Sequence, residues 1–160
     1  MPASHPITPS RPWTPRATVA AVVEQAGRFL MVEERADGSL RLNQPAGHLE
    51  EGESLVEAVI RETLEETAWH FRPEALVGVY RWRHEGSGET YLRFAFTGTA
   101  HAQETDRPLD QDILRSLWLD HSELNAQVSR LRSPLVLRCV QDYLAGRRYP
   151  LDLLQDVLSP

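Results

Sequence analysis

The chain has 160 residues, 41% hydrophobic and 25% charged, which is typical of one globular domain with a single core. Its formal net charge of −6 disfavours a general nucleic-acid binder, which needs a basic face, so we expect no stable complex with nucleic acid. The one cysteine, Cys139, excludes an internal disulfide framework and predicts a reducing, cytoplasmic location, and no apolar run reaches the ~20 residues that span a bilayer.

The first fifteen residues hold five of the eleven prolines and predict a flexible lead-in, residues 1–15, followed by a single domain at residues 16–160. Residues 17–24 are apolar and β-branched and predict a buried strand, and residues 28–34 predict a second strand. The turn signal Gln25-Ala26-Gly27 between them favours a hairpin of these two strands.

A loop and a helix are predicted next. Residues 40–52 predict the loop, in which Pro45 fixes the chain direction and Gly47 lets the backbone approach a ligand. Ser54 followed by Glu57 is a Ser-x-x-Glu capping box, which predicts that a helix begins there.

Three glutamates share one side of this helix. At about 100° per residue, Glu62, Glu65 and Glu66 fall within a sector of ~100° that borders the apolar stripe. Like charges at this spacing repel, and a cation such as Mg²⁺ removes the repulsion while keeping waters for substrate phosphates. A solvated acidic helix face is the alternative, but the glycine-bounded loop and Arg61, which could brace the cluster, favour a metal site.

The rest of the chain predicts more strands and a second helix. Residues 71–74 predict a break, residues 76–82 and 91–99 predict an antiparallel pair across a polar turn, residues 101–111 predict a loop, and residues 113–119 predict a further strand.

The last third of the chain is predicted to be helical. Ser133 and Pro134 are a cap and a first-turn proline, and residues 135–144 continue as an amphipathic helix that ends at Gly146. The apolar residues 151–158 are expected to pack back onto the domain. The order of strands, helix, strands, helix predicts an α/β sandwich.

The complete pattern from Gly47 to Trp69 is more specific than any part of it. It reads Gly-x5-Glu-x7-Arg-Glu-x-x-Glu-Glu and resembles the signature of the Nudix hydrolases, G-x5-E-x7-R-E-U-x-E-E-x-G-U, where U is a bulky aliphatic residue. Thr63, Ala68 and Trp69 depart from that signature. None of the three stands at an ionisable position, so the departures concern helix packing and helix exit more than chemistry.

The resemblance implies a fold and a metal site. The fold is of the α/β class, a Nudix-type α/β/α sandwich with a mixed β-sheet between helices. By their positions in the signature, Glu62, Glu65 and Glu66 correspond to the carboxylates that hold Mg²⁺ or Mn²⁺ in the family, often joined by the carbonyl oxygen of the residue that is Ala46 here.

The resemblance also implies supporting roles. Glu53 and Arg61 correspond to a pair that braces the loop against the helix. Some members use a further acid ahead of a late strand; Asp112 is the candidate, with Asp110 next, and a solvated loop acid is the alternative for Asp112. Metal ions would neutralise phosphoryl charge and activate a water, and a free carboxylate or Asp112 would take the proton, although the family has no universal base.

Residues around the signature indicate a subgroup. The stretches NQPAGHLE (43–50), LRF (92–94), LRSPLV (131–136) and RYPL (148–151) look like those of the NudJ phosphatase subgroup. Members of that subgroup are similar in removing phosphate from thiamine-type pyrimidine pyrophosphates and from nucleoside di- or triphosphates. The resemblance therefore implies a small phosphorylated heterocycle as the substrate.

Aromatic and basic side chains on the predicted strand pair could bind such a substrate. Aromatic faces stack on pyrimidines and purines, and arginines hold phosphate oxygens. The candidates are Trp82, Arg83, Tyr91, Arg93, Phe94 and Phe96, together with His48 in the signature loop. A core or solvated position is the alternative for each of them.

These features predict a metal-dependent hydrolase of phosphoanhydrides that releases phosphate. One alternative is a Nudix pyrophosphohydrolase acting on a nucleoside diphosphate linked to another moiety or on an RNA 5′ end, although the acidic balance disfavours long RNA. The other is a non-catalytic binding module of the same fold, which the complete set of metal carboxylates disfavours. We expect a monomer or homodimer that binds no membrane.

Overall fold

The computed structural model describes residues 12–157. The strands are β1 (Arg16–Val22), β2 (Glu24–Gln25), β3 (Arg28–Ala36), β4 (Ser39–Asn43), β5 (Ala46–His48), β6 (Trp69–Arg83), β7 (Thr90–Gln103) and β8 (Ile113–Asp120). The helices are α1 (Leu55–Thr67), α2 (His121–Ala126) and α3 (Pro134–Leu144), with short 3₁₀ helices at Val128–Arg130 and Leu151–Leu153. Of the predicted lead-in, residues 1–11 lie outside the described range.

The strands form two sheets between helices. One sheet has the order β5-β1-β7-β6 and is mixed, because β1 runs parallel to β7; in the other, β3 pairs with β2, β4 and β8. Val19 and Ala21 of β1 pack in a core cluster with Ala58 of α1, whereas Val22 packs in a second cluster with Cys139 of α3. Successive side chains of β1 point to opposite faces of the sheet, so this strand contributes to both core clusters. The predicted α/β sandwich with a mixed sheet is confirmed.

The predicted hairpin of the first two strands is wrong. β1 lies between β5 and β7, and only the two-residue β2 pairs with β3. The turn signal is genuine, since Ala26 and Gly27 both have positive φ, but it reverses the chain only after β2. A strand buried on both faces needs partners along both edges, and those partners are distant in sequence.

The predicted loop at residues 40–52 is also wrong in part, because it contains most of β4 and all of β5. β4 pairs with β3, and β5 pairs with β1. Pro45, which has no N–H, lies between the two strands, where it interrupts neither ladder.

The predicted break at residues 71–74 lies inside β6, which pairs with β7 along its length, and β7 extends into the predicted loop as far as Gln103. The register shifts between Pro73 and Ala75, and at such a bulge a proline costs no ladder hydrogen bond. Gly98 lies opposite Pro73, and a Cβ there would lie 2.0 Å from the carbonyl oxygen of Arg72, so only glycine fits.

Elements with strong local signals are where the sequence predicts them. These are α1, the β6–β7 pair, β8 and α3, in which Ser133 caps the helix and Pro134 opens it. The short helix α2 was not predicted. Leu151 and Leu154 pack against the core cluster next to α1, as expected for the C-terminal segment, whose last residue 158 lies outside the described range. Among the described residues no helix is long and apolar enough to cross a membrane.

Candidate active site

A capping box and a C-cap fix the two ends of α1, and the positions of its glutamates follow from those ends. The Ser54 hydroxyl oxygen accepts from the N–H of Glu57 at 3.1 Å, and the Glu57 carboxylate accepts from the N–H of Ser54 at 2.7 Å, so the capping box is complete. The helix ends at Thr67, and its C-cap Ala68 has φ 59°. Between these ends Glu62 and Glu66 are buried at the edge of the apolar face.

Gly47 allows Glu62 to pack directly against the loop backbone. β5 pairs with β1, with Gly47 opposite Val19, and this pairing holds the loop beside α1. A Cβ added to Gly47 would lie 2.1 Å from the carboxylate carbon of Glu62. Any larger residue would therefore displace the glutamate, which explains the glycine at the start of the signature.

Arg61 joins the loop to the acidic cluster. Its guanidinium forms a bidentate pair with Glu53, at 2.9 Å and 2.6 Å, and donates to Glu62 at 2.8 Å and to Glu65 at 3.1 Å. It also donates to the backbone carbonyl oxygen of His48 at 3.0 Å. The hydrogen bonds from Arg61 lower the pKa of Glu53, so this carboxylate stays ionised. The geometry is the bracing arrangement that the resemblance implies.

Glu62, Glu65 and Asp110 each offer a carboxylate oxygen, and the three oxygens lie within 4.8 Å of one another. Three oxygen ligands at this spacing fit a hard divalent cation. The loop that supplies Asp110 is held to α1, because the Asp110 N–H donates to the carbonyl oxygen of Glu65 at 3.1 Å.

Asp112, which sequence reasoning ranked ahead of Asp110, is not part of this cluster. It is exposed, and its backbone carbonyl oxygen accepts from the N–H of Arg35 at 2.9 Å. Because Asp112 directly precedes β8, its backbone is held to β3 rather than to α1. Distance from the late strand alone could not distinguish the two aspartates.

Glu66 is buried and is not one of the three residues of this cluster. Its carboxylate accepts from the N–H of Ala46 at 2.9 Å, which fixes the loop residue whose carbonyl oxygen the resemblance assigns to a metal; that role stays a prediction. Burial raises the pKa of Glu66 well above its ordinary value, and burial also raises the pKa of Glu62, against the opposing effect of Arg61. A bound cation would favour the ionised form of both groups.

A cavity of about 290 Å³ opens directly beside this loop. Four of the seven candidate substrate contacts line it together with Ala46 and Gly47, namely His48, Trp82, Tyr91 and Arg93. The rings of Trp82 and Tyr91 stack on each other, with centroids 5.6 Å apart.

The other candidates on these strands lie elsewhere. Arg83 is exposed outside the cavity, where its Nε donates to the carbonyl oxygen of Gly88 at 3.5 Å. Phe96 belongs to the core cluster next to α1, Phe94 is partly buried and packs against that cluster, and neither lines the cavity. Strand alternation sends neighbouring residues to opposite faces, so aromatic content alone could not separate these rings from the cavity-lining ones.

Arg93 is almost fully buried, with 7% of its surface exposed, and burial lowers its pKa. One of its terminal nitrogens donates to the side-chain oxygen of Gln44 at 3.3 Å, and the Gln44 amide donates to the carbonyl oxygen of Val136 at 2.7 Å. Arg93 therefore links β7, the loop before β5 and α3. Its predicted contact with phosphate stays a prediction.

Among the polar residues of the cavity that sequence reasoning missed are Glu34, Asn43 and Arg132. The Oε1 atom of Glu34 lies 3.4 Å from the Asn43 amide nitrogen and 3.4 Å from Nε of Arg132. Asn43 and Arg132 stand in the stretches NQPAGHLE and LRSPLV, and those stretches were the signal that could have found them. Glu34 ends an ordinary run of strand residues and offers no such signal.

Comparison with known proteins agrees with this geometry. Residues 13–138 match the family model described as NUDIX domain. The chain is 41% identical over 146 residues to the protein named Phosphatase NudJ of Escherichia coli strain K12, covering 91% of this chain and 94% of that protein. The Phosphatase NudJ of Shigella flexneri matches to the same extent.

Solved structures give the same result. A NUDIX hydrolase from Nitrosomonas europaea superposes with a TM-score of 0.87 at 49% identity, covering 90% of this chain and 98% of that chain. A MutT NUDIX hydrolase from Burkholderia pseudomallei superposes with a TM-score of 0.69 at 19% identity, covering 81% of this chain and 98% of that chain, which supports the fold alone.

Proposed function

This chain belongs to the NUDIX hydrolase family, and we propose that it removes phosphate from a small phosphorylated heterocycle in a reaction that depends on Mg²⁺ or Mn²⁺. The substrate is a nucleoside tri- or diphosphate or a thiamine-type pyrimidine pyrophosphate. The observation that carries the proposal is the position of the cavity. It opens at Ala46 and Gly47, the loop against which Glu62 packs. A ring bound in the cavity would therefore have its phosphates near the acidic cluster.

The acidic residues of this chain fit a divalent cation. Glu62, Glu65 and Asp110 would hold it, and Glu66 would contribute from its buried position. When bound, such an ion neutralises phosphoryl charge and lowers the pKa of a bound water.

The remaining residues orient the acidic cluster. Arg61 fixes the directions of the Glu62 and Glu65 carboxylates through one nitrogen and holds Glu53 through the others. The Ala46 N–H orients Glu66, whose buried carboxylate has little water of its own. A carboxylate of the cluster that is not engaged by metal accepts the proton of the attacking water.

The size and walls of the cavity favour a single heterocycle. A volume of about 290 Å³ is at the lower end of small-molecule sites, which are typically about 300–1,000 Å³. The stacked pair of Trp82 and Tyr91 offers aromatic surface on one wall. A ring held in so small a cavity would leave only the end of the phosphate chain over the acidic cluster, which favours attack on the terminal phosphorus and release of orthophosphate.

Phosphate release should be measured across a substrate panel with Mg²⁺. The panel comprises thiamine pyrophosphate, its pyrimidine precursor, nucleoside tri- and diphosphates, ADP-ribose and diadenosine polyphosphates. We expect turnover of the first four classes, loss of turnover with a chelator, and recovery when Mg²⁺ is restored. Preferential cleavage of ADP-ribose or diadenosine polyphosphates would overturn the substrate assignment, and the absence of metal-dependent turnover on any compound would overturn the proposal.

We also propose a reducing, cytoplasmic location, which the single and buried cysteine Cys139 supports.

The active form is a monomer or a homodimer, and sedimentation of the protein at its working concentration distinguishes the two.

A further inference from the structure

A second cavity adjoins the candidate substrate cavity. Its volume is about 440 Å³, against about 290 Å³ for the cavity beside Ala46 and Gly47. The side chains that border both cavities are those of Asp37, Trp82, His84, Arg132 and Ser133. The two spaces are therefore neighbours, and the room open to a ligand in the smaller one depends on these shared side chains.

Arg132 reaches across the boundary between the two cavities. Its backbone is held to β4, because its N–H donates to the carbonyl oxygen of Leu42 at 2.8 Å. Its side chain extends to the neighbouring strand, where Nε lies 3.4 Å from Glu34 and Nη1 lies 3.2 Å from Asp37 in the turn after β3. Glu34 borders the smaller cavity and Asp37 borders both, so the guanidinium lies where the two cavities meet.

The other shared side chains are small or are held by packing. Ser133 is buried at the start of α3. Trp82 stacks on Tyr91 and meets the ring of His84 edge to face, with centroids 5.3 Å apart. Arg132 differs, since its side chain is 35% exposed and its ion pairs are long. Such pairs contribute little to stability, so Arg132 can be replaced without loss of the fold.

The larger cavity is suited to an additional aromatic group. Its lining combines apolar side chains with two arginines that border it alone, namely Val128, Leu131, Pro134, Leu137, Arg41 and Arg138. Aromatic rings pack on apolar surface and are attracted to guanidinium groups. An aromatic substituent on the ring or sugar of a substrate would therefore bind there if the side chain of Arg132 did not intervene.

We propose that Arg132 is a specificity-determining residue, whose side chain confines the substrate to the cavity of about 290 Å³ and excludes substrates with a further aromatic group on the ring or sugar. The inference rests on the proposed function, because it concerns the ring site of the same substrate. It assigns the size limit of that site to one replaceable side chain at its boundary.

Nucleotides that share a triphosphate but differ in size test the proposal. The larger analogues are N6-benzyl-ATP, extended at the base, and ATP with an N-methylanthraniloyl group on its ribose. With Mg²⁺, we expect wild-type kcat/KM to be about tenfold lower for both analogues than for ATP, as for a group that a pocket cannot admit. A penalty below threefold for both would overturn the inference while leaving the proposed function intact. Turnover of none of the three nucleotides would overturn the proposed function, and the inference with it.

Arg132→Ala should reduce the penalty at least threefold for one analogue or both, mainly by raising kcat/KM for the analogue. Arg132→Met is the matched variant, because it loses the same ion pairs but keeps a long side chain, and it should retain the wild-type penalties. Arg41→Ala, at a residue that borders only the larger cavity, is the control and should also retain them.

Two results with the variants would overturn the inference. One is an unchanged penalty for both analogues in a folded Arg132→Ala protein. The other is equal relief in Arg132→Ala and Arg132→Met, which would show that charge, and not side-chain bulk, sets the limit. If Arg132→Ala does not fold, the wild-type comparison decides the proposal.

Discussion

At the level of single residues, the contact between Gly47 and Glu62 is the sharpest constraint on the metal site. The variant Gly47→Ala would place a methyl group 2.1 Å from the present position of the Glu62 carboxylate. Because the clash is with the far end of a flexible side chain, we expect the fold to survive and the carboxylate to move. Calorimetric titration with Mg²⁺ should show affinity reduced at least tenfold, with little change in melting temperature. Unchanged affinity would show that Glu62 is not a ligand.

Glu66→Gln tests the buried carboxylate. The glutamine keeps an oxygen for the Ala46 N–H, so the loop should stay in place, but it removes the negative charge. We expect a cooperative melting transition close to that of the wild type and a fall in kcat of at least about 10³-fold, as for loss of a transition-state interaction. Glu51→Gln, at an exposed position before α1, is the control and should retain full activity. Near-normal kcat in a folded Glu66→Gln protein would falsify the assignment.

The raised pKa values of Glu62 and Glu66 predict how metal binding depends on pH. In the metal-free protein both groups retain protons that the unfolded chain releases, so their contribution to stability falls as pH rises above the ordinary value of 4.5 toward the raised one. A cation competes with those protons. The rise in melting temperature that Mg²⁺ causes should therefore grow as pH increases above 4.5, and binding should release protons into a weak buffer. A rise that is the same at every pH above 4.5 would contradict this.

At the level of elements, the join between α1 and the preceding loop depends on Arg61. Arg61→Lys keeps the charge but loses the bidentate pair with Glu53 and the bond to the His48 carbonyl. We expect kcat to fall about tenfold or more with KM changed less than threefold, on the proposal that Arg61 positions carboxylates and does not touch substrate. Glu53→Gln should have a similar effect, and the double variant should be little worse than either single one. Fully additive losses would show that the two residues act separately.

The elements that sequence reasoning identified are those with local signals. The capping box of Ser54 and Glu57 and the Ser-Pro start of α3 are short-range chemistry, and both helices begin where these signals predict. Strand partners are chosen by distant residues: no local feature of β1 indicates that it pairs with β7. Residues 71–74, which include Pro73, were predicted to be a break because the bulge that accommodates the proline forms only when β6 pairs with β7. The local sequence does not indicate that bulge.

At the level of the whole molecule, the signature predicted Glu62 and Glu65 of the acidic cluster, but neither Asp110 nor the cavity. Glu62 and Glu65 share one helix, so their proximity follows from helix geometry alone. The cavity combines Glu34 of β3, Tyr91 of β7 and Arg132 before α3, which only the packing of both sheets brings together. The same packing brings Asp110 to α1 in place of Asp112. Distances along the sequence could not have resolved either point.

The central claim is that this hydrolase attacks the terminal phosphorus of its substrate. The most direct test is turnover of CTP with Mg²⁺ in ¹⁸O-labelled water, with products identified by mass spectrometry. The cavity beside Ala46 and Gly47 predicts CDP and orthophosphate, with the label in the orthophosphate. Production of CMP and pyrophosphate would contradict the account, because it would show that the phosphorus nearer the ring lies at the acidic cluster.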